Sequence, residues 1–155
     1  MELGRTGLAA LLVIALGCGG DAAVAGAGGP TLECGTGVDA FEPLVRGGTL
    51  VVYRGPQGGH HALAGLRAGW PTSRDVKVEA TLLLDGAVVA HGGGRVPLAT
   101  MPDGRRALWG LPVYFHSELV AEAAPGRTAH LVVAITDPPG ERGRGEVDVV
   151  LEASP

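Results

Sequence analysis

Aromatic side chains are scarce: two Trp, two Tyr and two Phe are 4% of the 155 residues. Aliphatic side chains must therefore supply the core. With 27 Gly and 11 Pro, the composition favours short strands and tight turns and excludes a helical bundle. Lysine is scarcer still, Lys77 standing alone against eleven scattered Arg. At a net charge of −4 and without a basic cluster, the electrostatic footprint of a DNA or RNA binder is missing. Charged residues are only 18% against 46% apolar, so the signature of disorder is absent and the chain is expected to fold. At roughly 100 to 200 residues per domain, the length admits one domain and a tail.

A membrane-spanning segment is also lacking near the N-terminus. The apolar run from Leu8 to Leu16 falls short of the roughly 20 residues a bilayer requires, but has the length of a secretory h-region. It follows Arg5 and ends in Ala15-Leu16-Gly17-Cys18. Those residues resemble the lipobox of bacterial lipoproteins, which implies a signal peptide over 1–17 and a mature N-terminus lipidated at Cys18. Two other readings of Cys18 stay open: ordinary cleavage at Ala23-Val24-Ala25, which discards it, and a disulfide with Cys34, which export would permit. Several acyl chains would give stable anchoring where one is marginal. Gly19 after Cys18 resembles lipoproteins sorted to the outer membrane, so the domain is expected in the periplasm or at the cell surface. The Gly/Ala-rich stretch that follows, within 18–33, reads as a flexible tether spanning roughly 20 Å.

The domain is expected over 34–155. Val76, Val78, Ala80, Leu82 and Leu84 alternate with Lys77, Glu79, Thr81 and Leu83, the period of a half-buried strand. Asp85-Gly86 follows, the preferred pair for a type I′ hairpin turn, so Leu84 should oppose Ala87 and Leu82 should oppose Val89. Ala129, Leu131, Val133 and Ile135 should pair with Val147, Val149 and Leu151 across the Pro138-Pro139-Gly140 turn region. Leu50 with Val52, Ala62 to Leu66, Leu108 to Phe115, and Phe41 to Val45 are further strand candidates. Pro112 predicts an edge or a bulge in the 108–115 strand, and 117–124 a helical turn or two with Ser117 as N-cap. Seven to eight short strands at this spacing predict an immunoglobulin-like antiparallel β-sandwich.

The chemistry of an enzyme is missing. Ser73, Ser117 and Ser154 lie in no Gly-x-Ser-x-Gly elbow, and Gly92-Gly93-Gly94-Arg95 lacks the Lys-Ser/Thr of a phosphate loop. His116-Ser117-Glu118 sets triad residue types side by side, where a triad needs them to converge in space. No enzyme and no cofactor are expected. Metal-ligand spacings are absent too, although His60 or His61 with His91 and His116 could converge from separate strands to hold zinc or copper. Adjacent residues of a strand point to opposite faces, so His60 and His61 share a metal only if they stay in a loop.

The most distinctive segment is Gly55-Pro56-Gln57-Gly58-Gly59-His60-His61, readable as a tight turn or as a loop presenting Gln57, His60 and His61 to a ligand. With Gly35-Thr36-Gly37 and Phe41-Glu42-Pro43-Leu44 it resembles a pattern of uncharacterised exported bacterial β-sandwich proteins, a resemblance covering about 34–70 and implying no activity. Trp70, Trp109, Tyr53 and Tyr114 are candidates for a sugar-stacking face, with Tyr53 out of phase with Leu50 and Val52. Together these readings point to a cell-envelope lipoprotein with a non-enzymatic binding or scaffolding domain. Its partners would be the membrane, through its lipid, and an envelope protein. The alternative is a periplasmic metal-binding protein using the Gly55–His61 loop.

Overall fold

Ten strands and one short helix build the domain in a computed structural model that describes residues 32–155 except 72. The stretch expected to be a signal peptide, Cys18 and most of the expected tether lie outside the described residues. β1 (Leu32–Thr36) begins two residues inside the stretch expected to be tether. It is followed by β2 (Glu42–Pro43), β3 (Gly48–Arg54), β4 (His60–Ala68), β5 (Asp75–Leu84) and β6 (Ala87–Pro97). β7 (Ala99–Thr100), β8 (Arg106–Phe115), α1 (Glu118–Glu122), β9 (Thr128–Thr136) and β10 (Arg142–Ala153) complete the chain. Among the described residues, no helix is long and apolar enough to cross a membrane.

The chain is all-β, as its alternation predicts, but the strands number ten, two of them only two residues long, and they close on themselves. The hydrogen-bonded order is β2-β1-β4-β3-β10-β9-β5-β6-β8-β7, and β8 also pairs along β4, so seven strands form a ring. Closure at β6–β8 is short, limited to Ala90↔Phe115 and His91↔Tyr114. The ring is not wholly antiparallel either, because β3 runs parallel to β10 from Gly48↔Val149 to Val52↔Ala153.

The inward faces are the ones the period of 2 picks out. Val76, Val78, Ala80, Leu82 and Leu84 of β5 meet Leu131, Val133 and Ile135 of β9 and Leu66 of β4 in one aliphatic core, all nearly solvent-free. Residues of the opposite phase stay at least partly in water, Lys77 pairing with Glu79 at 3.0 Å. The turn is as expected, Asp85 and Gly86 at φ 49° and 79° with Leu84↔Ala87 closing it. The register beyond it differs: Leu82 opposes Ala90, not Val89, because a bulge leaves Val89 as an extra residue. The bulge turns Ala90 into the core, where it is fully buried, and leaves Val88 51% exposed. The C-terminal hairpin forms as expected, with Val147↔Leu131 and Val149↔Ala129.

β8 meets the constraint set by Pro112 in two ways. Its pairing to β4 shifts register opposite Ala64/Leu66, and no ladder to β6 accompanies the stretch from Leu108 to Val113. Ser117 stands at the N-cap of α1 in an extended conformation, but its side chain makes no capping hydrogen bond.

Glycines let the layers touch. Gly92 faces Pro112 so closely that a Cβ would lie 2.0 Å from the Pro112 carbonyl oxygen, and a Cβ on Gly93 would lie 2.4 Å from the Val78 carbonyl oxygen, so these two glycines serve backbone packing. The Phe41 ring covers the paired Gly35 and Gly65, where a Cβ on Gly35 would meet ring atom Cε2 at 2.2 Å. The Arg67 guanidinium lies 4.9 Å from the Phe41 ring centroid while bonding Glu33 at 2.8 Å. Of the glycines in the 34–70 stretch, Gly35 and Gly65 thus seat the Phe41 side chain on the sheet.

Candidate functional site

The β3–β4 connection is a closed hairpin. Gly55 N–H donates to the Gly59 carbonyl at 2.7 Å, Gly58 N–H donates to the Gly55 carbonyl at 3.0 Å, and Gly58 supplies the positive φ of 91°. Gln57 sits exposed at its tip. This geometry puts Arg54 opposite His60 and Tyr53 opposite His61.

His60 and His61 therefore diverge, as adjacent strand residues must. His61 joins a row that runs in register across three strands, with Tyr53 on one side and Tyr114 on the other. The Tyr53 and His61 rings are 5.7 Å apart at 26°, and the His61 and Tyr114 rings 5.9 Å apart at 47°. Tyr53 and His61 are thus stacked, and Tyr114 is tilted against His61. The other two candidates for a sugar-stacking face lie elsewhere: Trp70 packs on Gly143 at the far end of the ring, and Trp109 occupies the irregular part of β8. His91 extends the row on β6, opposite Tyr114. Tyr114 is 57% exposed, so the row meets solvent.

His60 has the phase of Ala62 and Ala64 and lines a cavity of about 280 Å³ at the mouth of the ring. Val52 and Ala121 form apolar walls, and Arg54, Glu122 and Ser154 bring polar groups. The backbone N–H of Ser154 donates to the Val52 carbonyl at 2.9 Å, tying the chain end to β3. Arg54 Nη2 reaches to 3.7 Å from Glu118 Oε1 on α1. His60 Nδ1 is buried with no hydrogen-bond partner among the described residues.

The four histidines proposed as metal ligands are not gathered. His60 faces the cavity, His61 and His91 lie on either side of Tyr114, and His116 is exposed beyond β8, donating its N–H to the Val89 carbonyl at 3.0 Å. Among the described residues, no group of three or more His, Cys, Asp or Glu is arranged to hold a metal ion. Cys34 is a free thiol in the core, pushed up to about 12 chiefly by burial. Its Sγ abuts Gly145, where a Cβ would stand 3.1 Å away.

Sequence reasoning missed Arg54, Glu122 and Ser154. Arg54 had a usable signal: it and His60 are equidistant from Gln57, so a hairpin centred there pairs them. Glu122 and Ser154 had none, since they arrive through α1 and the end of β10.

The Gly55–Gly59 hairpin, the Tyr53–His61–Tyr114 row and the cavity share one end of the ring. Leu32 pairs with Ala68, at the opposite end of β4 from His60. Nine residues of strand separate the two ends by roughly 26 Å.

No family model matches the chain, and no curated protein does. Among solved structures, the CooA pilin subunit from enterotoxigenic Escherichia coli aligns with 81% of this chain and 100% of its own, at 9% identity and a TM-score of 0.35. A likeness of that degree carries no argument about this one.

Proposed function

We propose that this chain is a lipid-anchored cell-envelope protein whose β-domain is a non-enzymatic binding module for another envelope protein. The observation that carries the reading is the polarity of the domain. β1 begins at Leu32, at one end of β4, while the Tyr53–His61–Tyr114 row and the cavity lie at the other end of β4. An anchor at Cys18 would hold the Leu32 end toward the lipid and turn the row outward. Half-exposed Tyr rings in a fixed register suit a protein contact, because they offer large rigid area at low entropic cost.

The strand order supports an immunoglobulin-like reading of the ring. β3-β4-β8-β7 follows the A-B-E-D order of such sandwiches and β10-β9-β5 the G-F-C order. In this reading β3 joins the two sheets, pairing with β4 on one side and β10 on the other.

Two linked experiments test the function. Cys18→Ala should shift the protein from the membrane to the soluble envelope fraction. A photo-crosslinking side chain at Tyr114 should trap a discrete partner in cells, whereas the same group at Glu141, at the Leu32 end, should not. Membrane retention of the Cys18→Ala protein defeats the anchor, and equal trapping from both positions defeats the polarity.

A further inference from the structure

The cavity at the distal mouth carries charges of both signs and one unmet hydrogen bond. Arg54 of β3, whose Nη2 also lies 3.7 Å from Glu118 Oε1, and Glu122 of α1 bring opposite charges to its lining, and His60 of β4 has a buried Nδ1 without a partner among the described residues. A buried polar atom left unpaired costs stability, so at a cavity wall it offers an occupant one hydrogen bond to complete. A simple anion placed there would meet Glu122, and a simple cation would meet Arg54. A molecule bearing both charges satisfies both walls at once.

The dimensions set its size. About 280 Å³ lies just below the range of pockets for drug-sized ligands and is several times the volume of one water. The remaining wall, with Val52, Ala121 and Pro125, is small and apolar, which suits a short aliphatic group. We propose that this cavity binds a small zwitterionic amino acid, its carboxylate toward Arg54, its ammonium toward Glu122 and one polar atom on His60 Nδ1. The proposal rests on reading this end of the domain as the binding end. It is separate from the Tyr53–His61–Tyr114 row, so its failure would leave the crosslinking outcome at Tyr114 standing.

The test is a titration of the full chain, in detergent micelles, with L-valine, acetate and ethylamine as separate probes. It is followed through the imidazole nitrogens of His60 by NMR. L-valine should produce a saturable shift of the His60 Nδ1 resonance in the low millimolar range, up to about 10 mM. Acetate and ethylamine should each bind at least about tenfold more weakly, since each forgoes one charge-assisted contact. Arg54→Gln and Glu122→Gln should each weaken L-valine by a similar factor while leaving the hairpin amide resonances in place. No saturable shift with any of the three probes overturns the cavity as a binding site. Acetate or ethylamine binding as tightly as L-valine overturns the zwitterion and leaves a simple ion site.

Discussion

The indole of Trp70 lies on the bare backbone of Gly143: a Cβ there would stand 2.6 Å from ring atom Cζ2. The same strand repeats the device at Gly145, whose Cβ would stand 2.6 Å from the Leu32 carbonyl oxygen. Arg142, Arg144 and Glu146 take the outward phase between these buried glycines, so the start of β10 admits a close neighbour inside and stays charged outside. Gly143→Ala should lower stability by about 1–3 kcal/mol, the range for overpacking a filled site. Gly59→Ala, where nothing lies within 4 Å, should stay within about 0.5 kcal/mol. Urea unfolding of both variants checks the pair through the midpoint at constant slope.

Cys34 should behave as an inert thiol. Burial withdraws the thiolate from water and Glu146 and Glu33 add to the upward shift, outweighing the backbone hydrogen bond from Val133, so the thiol stands at about 12. The nucleophile is the thiolate, which is then absent at neutral pH. In a Cys18→Ser chain, iodoacetamide should leave the native protein unmodified and alkylate it fully in denaturant. Stoichiometric labelling under native conditions would show that this thiol is reachable.

His130 gives the domain a pH-dependent contribution. Its Nδ1 lies 2.8 Å from Asp148 Oδ1 and its Nε2 3.4 Å from Glu146 Oε2, and the hydrogen bond to Asp148 is the main cause of its raised pKa. A raised folded pKa means the stabilisation is complete below the ordinary His value and is lost as pH climbs through the folded one. Glu146 is lowered, chiefly by Arg144 and then by His130, so its contribution holds above the ordinary Glu value and fades as pH falls through the folded one. The imidazole is 41% and the Asp148 side chain 43% exposed, so screening keeps the His130 effect within about 1 kcal/mol and salt reduces it further. Stability measured from slightly acid to mildly alkaline pH should decline in the parent and decline less in His130→Gln.

Much of this architecture is legible from alternation alone. Each inward residue of β5, from Val76 to Leu84, and of β9, from Ala129 to Ile135, follows from a period of 2, and the type I′ turn follows from Asp85-Gly86. Local pattern stops at register and closure. The Val89 bulge answers to burial of Ala90 against the far strands, and the parallel β3–β10 pair joins segments about a hundred residues apart. Neither leaves a local signature. The candidate site divides in the same way. Adjacency already separates His60 from His61, whereas the Tyr114 that flanks His61 and the Glu122 that lines the same cavity as His60 are placed by tertiary pairing.

Replacing His60 should expose a conflict between stability and binding. Its Nδ1 is buried without a partner among the described residues, a condition that costs about 1–3 kcal/mol in proteins. His60→Leu removes that unmet group while keeping comparable bulk beside Val52 and Ala121, so the variant should unfold at a higher denaturant midpoint than the parent. His61→Leu changes a half-exposed ring between Tyr53 and Tyr114 and should move the midpoint little. If His60→Leu instead loses more than about 1 kcal/mol, the imidazole is already satisfied in the free protein, and the case for an occupant at its Nδ1 fails with it.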